Sequence, residues 1–131
     1  MEKQFDQWNE DKKRFEKNLA EVYFYEREIW WCALGVNIGF EQDGRGDKFL
    51  RPILILRKWS DRVFLGIPLT KTKKTGKYYF PLTTWGVRDI KSTLILSQVR
   101  LLDSNRLVDK IGMVKREEFV EIKNAVKRLI S

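Results

Sequence analysis

The sequence predicts a mainly β fold with a helix at each end (α+β class), in which antiparallel strands form a small barrel or a strongly bent sheet. Two observations predict this architecture. Short apolar runs follow one another across short polar turns from residue 26 to residue 114, without intervening helices of about 10–15 residues. Both ends of the chain instead carry apolar residues at the spacing of helical turns.

The two terminal helices are predicted over residues 2–23 and 115–130. The first presents Phe5, Trp8, Phe15, Leu19 and Val22 on one face, and the second presents Phe119, Ile122, Ala125, Val126 and Leu129. The first helix lacks the three full heptads of a coiled coil, so we expect it to pack on its own domain. The sequence thus divides into an N-terminal helical extension, residues 1–25, and a domain, residues 26–131.

Between the helices, continuous or alternating apolar runs predict short strands, and Gly-, Asp- and Ser-containing segments predict turns. The predicted strands are Glu28–Leu34, Pro52–Leu56, Arg62–Leu69, Lys77–Leu82, Thr93–Leu102 and Ile111–Val114. Residues 40–48 read as a polar loop, and Lys58–Asp61 and Asp103–Asn105 as turns. The C-terminal helix would cover one edge or opening of the sheet.

Composition excludes several classes of chemistry. The 131 residues contain no histidine, which excludes a Ser-His-Asp triad, a histidine base and a His-ligated zinc site. Cys32 is the single cysteine, so no intrachain disulfide can form. The longest apolar run has eight residues, whereas a membrane span needs about 20. With no signal-peptide pattern at its start, we expect a soluble, cytoplasmic protein without a membrane partner.

The charge is unevenly distributed along the chain. Residues 1–47 hold 7 basic and 11 acidic residues, a net charge of −4, whereas residues 48–131 hold 19 basic and 7 acidic residues, a net charge of +12. Such segregation favours a polyanion as partner. The densest basic run, residues 71–77, contains Lys71, Lys73 and Lys74 in what reads as a loop. These lysines can hold phosphates without reading sequence.

The remaining chemistry is limited to Arg, Lys, Asp, Glu, Ser, Thr and Tyr. No glycine-rich phosphate loop and no nucleophile elbow is present, because Gly44-Arg45-Gly46 is too short for either. The basic half has too few acids for a two-metal nuclease site, so neither a metal nor another cofactor is expected. Taken one at a time, Arg51 reads as an ion-pair partner at a strand mouth and Thr70 as a turn residue.

Several segments carry a family resemblance when they are taken together and in order. They are Glu28-Ile29-Trp30-Trp31, Gly39-x-Glu41-Gln42-x-Gly44, Arg51-Pro52, Ile67-Pro68-Leu69-Thr70, Leu96-Ser97-Gln98-Val99-Arg100-Leu101-Leu102-Asp103, Arg106-Leu107 and Lys110-Ile111-Gly112. On these residues the chain resembles the MazF/PemK family, the toxins of type II toxin–antitoxin systems. The resemblance covers about residues 26–131.

The resemblance implies an SH3-like β-barrel closed by a C-terminal helix, acting as a homodimeric, sequence-specific and metal-independent endoribonuclease of single-stranded RNA, controlled by an antitoxin. In such toxins the RNA 2′-OH attacks the adjacent phosphorus and leaves a cyclic phosphate and a 5′-OH. The family's essential arginine falls on Arg51, its strand-end threonine on Thr70, and its glutamate and glutamine on Glu41 and Gln42. We assign Arg51, Thr70 and Glu41 to catalysis, with Glu41 as the base. RNA binding is assigned to Gln42, Lys71, Lys73, Lys74 and Gln98.

Two departures from the family pattern bear on mechanism and specificity. Ser97 stands where some members have an acid that serves as base, and residues 45–50 lengthen the loop before Arg51. A non-catalytic RNA- or protein-binding module on the same fold is the alternative function. A general basic nucleic-acid protein would instead show exposed stacking aromatics, for which Trp85 is the candidate. The N-terminal extension could brace a dimer, cap a barrel end or occupy the antitoxin groove.

Overall fold

A computed structural model describes residues 22–34, 50–83 and 92–131. These residues form seven strands, two 3₁₀ turns and one α-helix: β1 (Glu28–Ala33), β2 (Leu50–Lys58), β3 (Val63–Thr70), β4 (Tyr79–Pro81), β5 (Thr93–Ile95), η1 (Leu96–Gln98), β6 (Arg100–Asp103), η2 (Ser104–Arg106), β7 (Leu107–Met113) and α1 (Arg116–Ile130). The helix is not long and apolar enough to cross a membrane. The mainly β prediction with a C-terminal helix is confirmed.

The predicted N-terminal helix lies almost wholly outside the described residues. Only Val22 and Tyr23 of it are described, and neither has regular secondary structure. The extension, residues 1–25, and its boundary with the domain therefore stay predictions.

The strands form one antiparallel sheet in the order β4-β5-β3-β2-β1-β7, with β6 paired to β3 beside β5. Strands β1, β2 and β3 form its centre, where Ile29 lies opposite Leu54 and Leu54 opposite Ile67. Residues of β2 are buried on both sides of the sheet, because Ile53 and Ile55 belong to one apolar core and Leu54 and Leu56 to the other. We name these the inner core and the helix-side core, since the second contains Phe119, Ile122 and Ala125 of α1.

The connection between β6 and β7 shows that the sheet is strongly bent. Asp103 pairs with Val63 of β3, and only four residues later Leu107 pairs with Cys32 of β1. In a flat sheet the two strands would lie four spacings apart, about 19 Å, whereas four residue steps span at most about 14 Å. The sheet therefore curls around the inner core.

At Gly66 the inner core leaves no room for a side chain. A Cβ atom at this position would lie 2.6 Å from Ile53 Cγ2 and 3.1 Å from both Leu102 Cδ1 and Phe64 Cε2. All three neighbours belong to the inner core. Since real Cβ atoms do not approach other heavy atoms at 2.6 Å, the absence of a side chain at this position allows the strands to pack this closely.

Closure into an SH3-like barrel is not confirmed. The sheet ends at β4 and β7, and no ladder between described strands joins these ends. Of the two sheet forms left open by the strand pattern, the strongly bent sheet is the one observed.

One predicted strand is wrong in its extent. Residues 93–102 form β5, then η1, then β6, because the chain leaves the ladder between them. Leu94 pairs with Leu69 and Arg100 with Gly66. Between these two pairs the segment that joins β5 to β6 has five residues, residues 95–99, whereas β3 has only two, residues 67 and 68. One of those two is Pro68, which has no N–H to give to a ladder. The break leaves Ser97 and Gln98 exposed and Leu96 buried.

The other predicted strands and the C-terminal helix are confirmed with shifted ends, the largest shift being that of β7, which starts four residues before the predicted Ile111. The predicted polar loop at residues 40–48 lies outside the described residues. The predicted turn at Asp103 is η2, where Asp103 Oδ1 accepts a hydrogen bond of 2.9 Å from the backbone N–H of Asn105. Helix α1 buries the predicted face, and Val126 and Leu129 pack partly buried against the helix-side core.

Candidate active site

Arg51 is the second residue of β2, directly opposite Cys32 of β1. Its neighbour Ile53 and its partner Cys32 are both fully buried in the inner core. Side chains alternate along a strand, and directly paired residues point to the same side of a sheet, so Arg51 shares its side with Ile53 and Cys32. Along β2 it is the next residue on that side beyond Ile53. The half-buried arginine thus stands at the end of the inner core.

Thr70 is the last residue of β3 and is also half-buried. Its Oγ1 accepts a hydrogen bond of 3.2 Å from the backbone N–H of Thr72, which fixes the hydroxyl oxygen at the strand end. A hydroxyl that accepts this bond keeps its own hydrogen, so Thr70 can still donate to a ligand.

The register of β2 and β3 brings Arg51 and Thr70 together. The β2–β3 ladder ends where Ile53 lies opposite Pro68, and both strands continue beyond that pair. The same antiparallel register extended by two residues sets Arg51 opposite Thr70 on one face. Directly opposite residues have Cβ atoms about 4.5–5.5 Å apart. A guanidinium and a hydroxyl donor thereby converge at one end of the sheet.

Two further arginines stand around the same point. Arg106 Nη1 donates a hydrogen bond of 3.0 Å to the carbonyl oxygen of Ala33, the residue after Cys32. Burial raises the pKa of the Cys32 thiol to about 12, and the positive charges of Arg106 and Arg100 oppose that rise. The surroundings of Arg51 are therefore strongly cationic.

These two arginines were not assigned to the site from the sequence, although both belong to the segments that carry the resemblance. Arg100 pairs with Gly66 and shares its side of the sheet with Leu102, an inner-core residue. The signal that could have identified it is alternation, since it stands two residues before a buried leucine.

The predicted lysines lie in the loop that leaves Thr70. Lys71, Lys73 and Lys74 are all exposed. Gly76 turns this loop with a φ of 117°, a conformation that favours glycine, and its carbonyl oxygen accepts a hydrogen bond of 3.1 Å from the N–H of Tyr79. The basic loop therefore starts at the candidate site and ends at β4.

Gln98 is the exposed last residue of η1. It lies beside the stretch of β3 between Gly66 and Leu69, because the two ladders that flank η1 end at those residues. Gln98 and Thr70 therefore stand on neighbouring parts of the same sheet edge.

Glu41 and Gln42, as well as Trp85, lie outside the described residues, and their predicted roles stay predictions. In the described parts of the chain, no three His, Cys, Asp or Glu side chains come together as metal ligands would.

A concave surface lies at the end of β2 that is opposite to Arg51. This open groove of about 670 Å³ is lined by residues that include Tyr25, Arg27, Lys58, Met113, Arg116 and Phe119. The seven residue steps from Arg51 to Lys58 separate it from the candidate site by about 23 Å. Lys58 already has partners within the protein, because its Nζ donates a hydrogen bond of 3.0 Å to the carbonyl oxygen of Phe24 and forms an ion pair of 3.5 Å with Asp61 Oδ1.

Comparison with known proteins gives a family and a set of similar folds. A family model described as a PemK-like, MazF-like toxin of type II toxin–antitoxin systems matches residues 25–130. A search of curated proteins gives no match.

Solved structures with a similar fold include an endoribonuclease in complex with its cognate antitoxin from a mycobacterial species, with a TM-score of 0.61 and 14% identity over 82% of this chain and 95% of that chain. The Mycobacterium tuberculosis toxin MazF-mt6 has a TM-score of 0.61 and 18% identity over 79% of this chain and 96% of that chain. MazF from Deinococcus radiodurans has a TM-score of 0.58 and 14% identity over 83% of this chain and 98% of that chain.

Proposed function

Since the chain belongs to the PemK-like, MazF-like toxins of type II toxin–antitoxin systems, we propose that it is an endoribonuclease that cleaves single-stranded RNA without a metal ion. The observation that supports the proposal is the β2–β3 register, in which Ile53 lies opposite Pro68, because the same register continued by two residues sets Arg51 opposite Thr70. The names of structural neighbours, among them an endoribonuclease with its antitoxin, agree with this activity.

The proposed reaction is a transesterification within the RNA. The 2′-oxygen forms a bond to the adjacent phosphorus, the bond from phosphorus to the 5′-oxygen breaks, and a 2′,3′-cyclic phosphate and a 5′-OH result. The 2′-OH proton leaves to a base, and the 5′-oxygen takes up a proton. Negative charge develops on the non-bridging oxygens, so fixed donors at those atoms lower the barrier.

Arg51 and Thr70 supply such donors. A guanidinium presents five N–H groups in a planar fork, which fits two oxygens of one phosphate. Because Thr70 Oγ1 accepts a hydrogen bond from the N–H of Thr72, the oxygen is held in position and its own O–H remains able to donate to a phosphate. The charges of Arg100 and Arg106 strengthen the attraction for the phosphate backbone.

Glu41 is proposed as the base and Gln42 as an RNA contact, on the strength of the family motif alone. Ser97 cannot replace the acid found there in other members, since a hydroxyl does not accept protons at neutral pH. Lys71, Lys73 and Lys74 would bind phosphates, and Gln98 would contact a base. Their exposure beside Thr70 supports these roles.

The proposed assembly is a cytoplasmic homodimer bound by a cognate antitoxin. The solved structures with a similar fold include MazE-MazF from Deinococcus radiodurans, which supports an antitoxin partner. We also propose that the bent sheet closes into an SH3-like barrel, which the short β6–β7 connection supports. The alternative, a non-catalytic binding module on this fold, requires no convergent donors.

The decisive experiment incubates the purified protein with mixed RNA in excess EDTA and maps the new ends. We expect cleavage at a recurring sequence and 5′-OH ends that a polynucleotide kinase labels directly. Cleavage that appears only after Mg²⁺ or Mn²⁺ is added would overturn the metal-independent mechanism. Intact RNA under every condition, with the RNA bound, would favour the binding module.

A further inference from the structure

A second group of side chains on the face of Arg51 and Thr70 has no assigned role. The ladders β3–β5 and β4–β5 place Thr70 opposite Thr93, and Thr93 opposite Pro81. These three residues form one row across three strands, and residues in such a row point to the same side of the sheet. Tyr79 stands two residues from Pro81 on β4, so its side chain shares that side.

The distance from this tyrosine to the candidate site suits a neighbouring nucleotide. Two strand spacings and two residue steps separate Tyr79 from Thr70, which corresponds to about 12 Å between Cα atoms. That separation is too long for the scissile phosphate itself. It reaches a base of the nucleotides that flank the scissile bond.

The surroundings of Tyr79 match what an unpaired nucleotide needs. Its ring is half-buried on the edge strand of the sheet, and Lys74 Nζ lies 5.9 Å from the ring centroid. An aromatic face for the base next to an ammonium group for the phosphate is the usual composition of single-strand binding sites. The backbone of Tyr79 is held by the Gly76 carbonyl and by pairing with Ile95, which fixes the point from which the ring projects.

Tyr78, the residue directly before Tyr79, offers a matched comparison. Its ring is more exposed, 46%, and also has a lysine beside it, with Lys77 Nζ at 5.3 Å from the centroid. Its carbonyl oxygen accepts from the N–H of Leu96, which is buried in the helix-side core. Tyr78 lies in the turn before β4, two residues before Phe80, which packs against the helix-side core.

We propose that Tyr79 and Lys74 form a nucleotide subsite that stacks one unpaired RNA base next to the scissile bond. This inference rests on the proposed ribonuclease function. It adds a residue that determines which flanking positions of the RNA contribute to cleavage. A stacked base contributes affinity with little preference for its identity, so the subsite reads the presence of a base and not its sequence.

The test combines protein variants with abasic substrates in a double-mutant cycle. Oligonucleotides carry the cleavage sequence mapped for the wild-type protein, and an abasic nucleotide replaces one flanking base at a time. For the wild type, we expect kcat/KM to fall by about 5- to 150-fold at one flanking position. Tyr79→Ala should show the same loss on the intact substrate and no further loss on that abasic substrate.

Three variants separate stacking from a structural role. Tyr79→Phe should keep wild-type behaviour, Tyr79→Leu should behave as Tyr79→Ala while retaining apolar bulk, and Tyr78→Ala should keep the wild-type response to the abasic position. If Tyr79→Leu lost activity equally on the intact and the abasic substrates, the subsite would be overturned. It would also be overturned if the abasic position were coupled to Tyr78 and not to Tyr79. A wild-type protein that cleaves no RNA refutes the proposed function itself, whereas normal cleavage without coupling refutes the subsite alone.

Discussion

Glu28 Oε2 lies 3.0 Å from Lys110 Nζ, and this ion pair ties β1 to β7 at the outer edge of the sheet. The other carboxylate oxygen accepts hydrogen bonds of 2.9 Å from the N–H of Tyr25 and 3.0 Å from Trp30 Nε1. Glu28 is 4% exposed, so the carboxylate is a buried acceptor with three donors. Such a group stabilises the fold only while all its partners are present.

Glu28→Ala should therefore destabilise the protein clearly. The change leaves the buried indole N–H and the backbone N–H without an acceptor, and each such loss costs about 1–3 kcal/mol. The free energy of unfolding, measured with urea, should drop by several kcal/mol. The control is Glu121→Ala on the exposed face of α1, expected within about 0.5 kcal/mol of wild type. Equal stability of the two variants would contradict the role of Glu28.

Gly66→Ala should cost about 1–3 kcal/mol through overpacking, because the new Cβ would lie 2.6 Å from Ile53 Cγ2. The double variant with Ile53→Ala tests the cause, since it removes the clashing atom. In that background Gly66→Ala should cost much less, and the difference is the coupling energy between the two sites. Additive losses would show that the two side chains do not meet.

Arg51→Ala should lower RNA cleavage by about 10²- to 10³-fold while leaving the protein folded. The reason is that a donor to the transition state contributes mainly to rate. Arg57→Ala is the matched control, because Arg57 lies exposed at the other end of the same strand. Near-normal cleavage by Arg51→Ala would place the active site elsewhere.

Replacing Lys71, Lys73 and Lys74 together should weaken RNA binding about equally for all sequences. Each lysine that neutralises a phosphate of a single strand contributes about 0.7 to the slope of log affinity against log salt, so the slope should flatten by up to about 2. Binding titrations at several salt concentrations measure it. An altered cleavage sequence would instead mean that the loop reads bases.

Cys32 should make the protein less stable in alkaline solution. Burial raises the pKa of its thiol to about 12, while the pKa of the thiol in the unfolded chain is about 9.0. The folded state thus keeps a proton that the unfolded state loses, and stability falls by about 1.4 kcal/mol per pH unit between pH 9 and 12. Below pH 9 the thiol is protonated in both the folded and the unfolded state, so the protein keeps its full stability there.

The measurement is the urea denaturation of wild type and Cys32→Val between pH 8 and 11. The variant should lose less stability over that interval, because valine has no proton to release. Parallel pH profiles of the two proteins would show that the thiol ionises as easily when folded as when unfolded.

The sequence by itself determined most of the strands, the C-terminal helix and the family. Strand runs such as Pro52–Leu56 and the helical spacing of Phe119 and Ile122 are local patterns, and local patterns follow from the side-chain periods of strand and helix. The order of motifs along the chain was enough for the resemblance that the family model confirms.

Only the tertiary structure decided the break within residues 93–102 and which strands the predicted bend brings together. Both depend on pairing between segments that are distant in sequence. The break arises because β5 and β6 pair with the same edge of β3, and the bend arises because β6 pairs with β3 while the next strand, β7, pairs with β1. The cationic surroundings of Arg51 arise in the same way, because Ala33, Arg51 and Arg106 are far apart in sequence and meet through strand register. Register is set by which faces are buried against one another, and a local pattern does not contain that information.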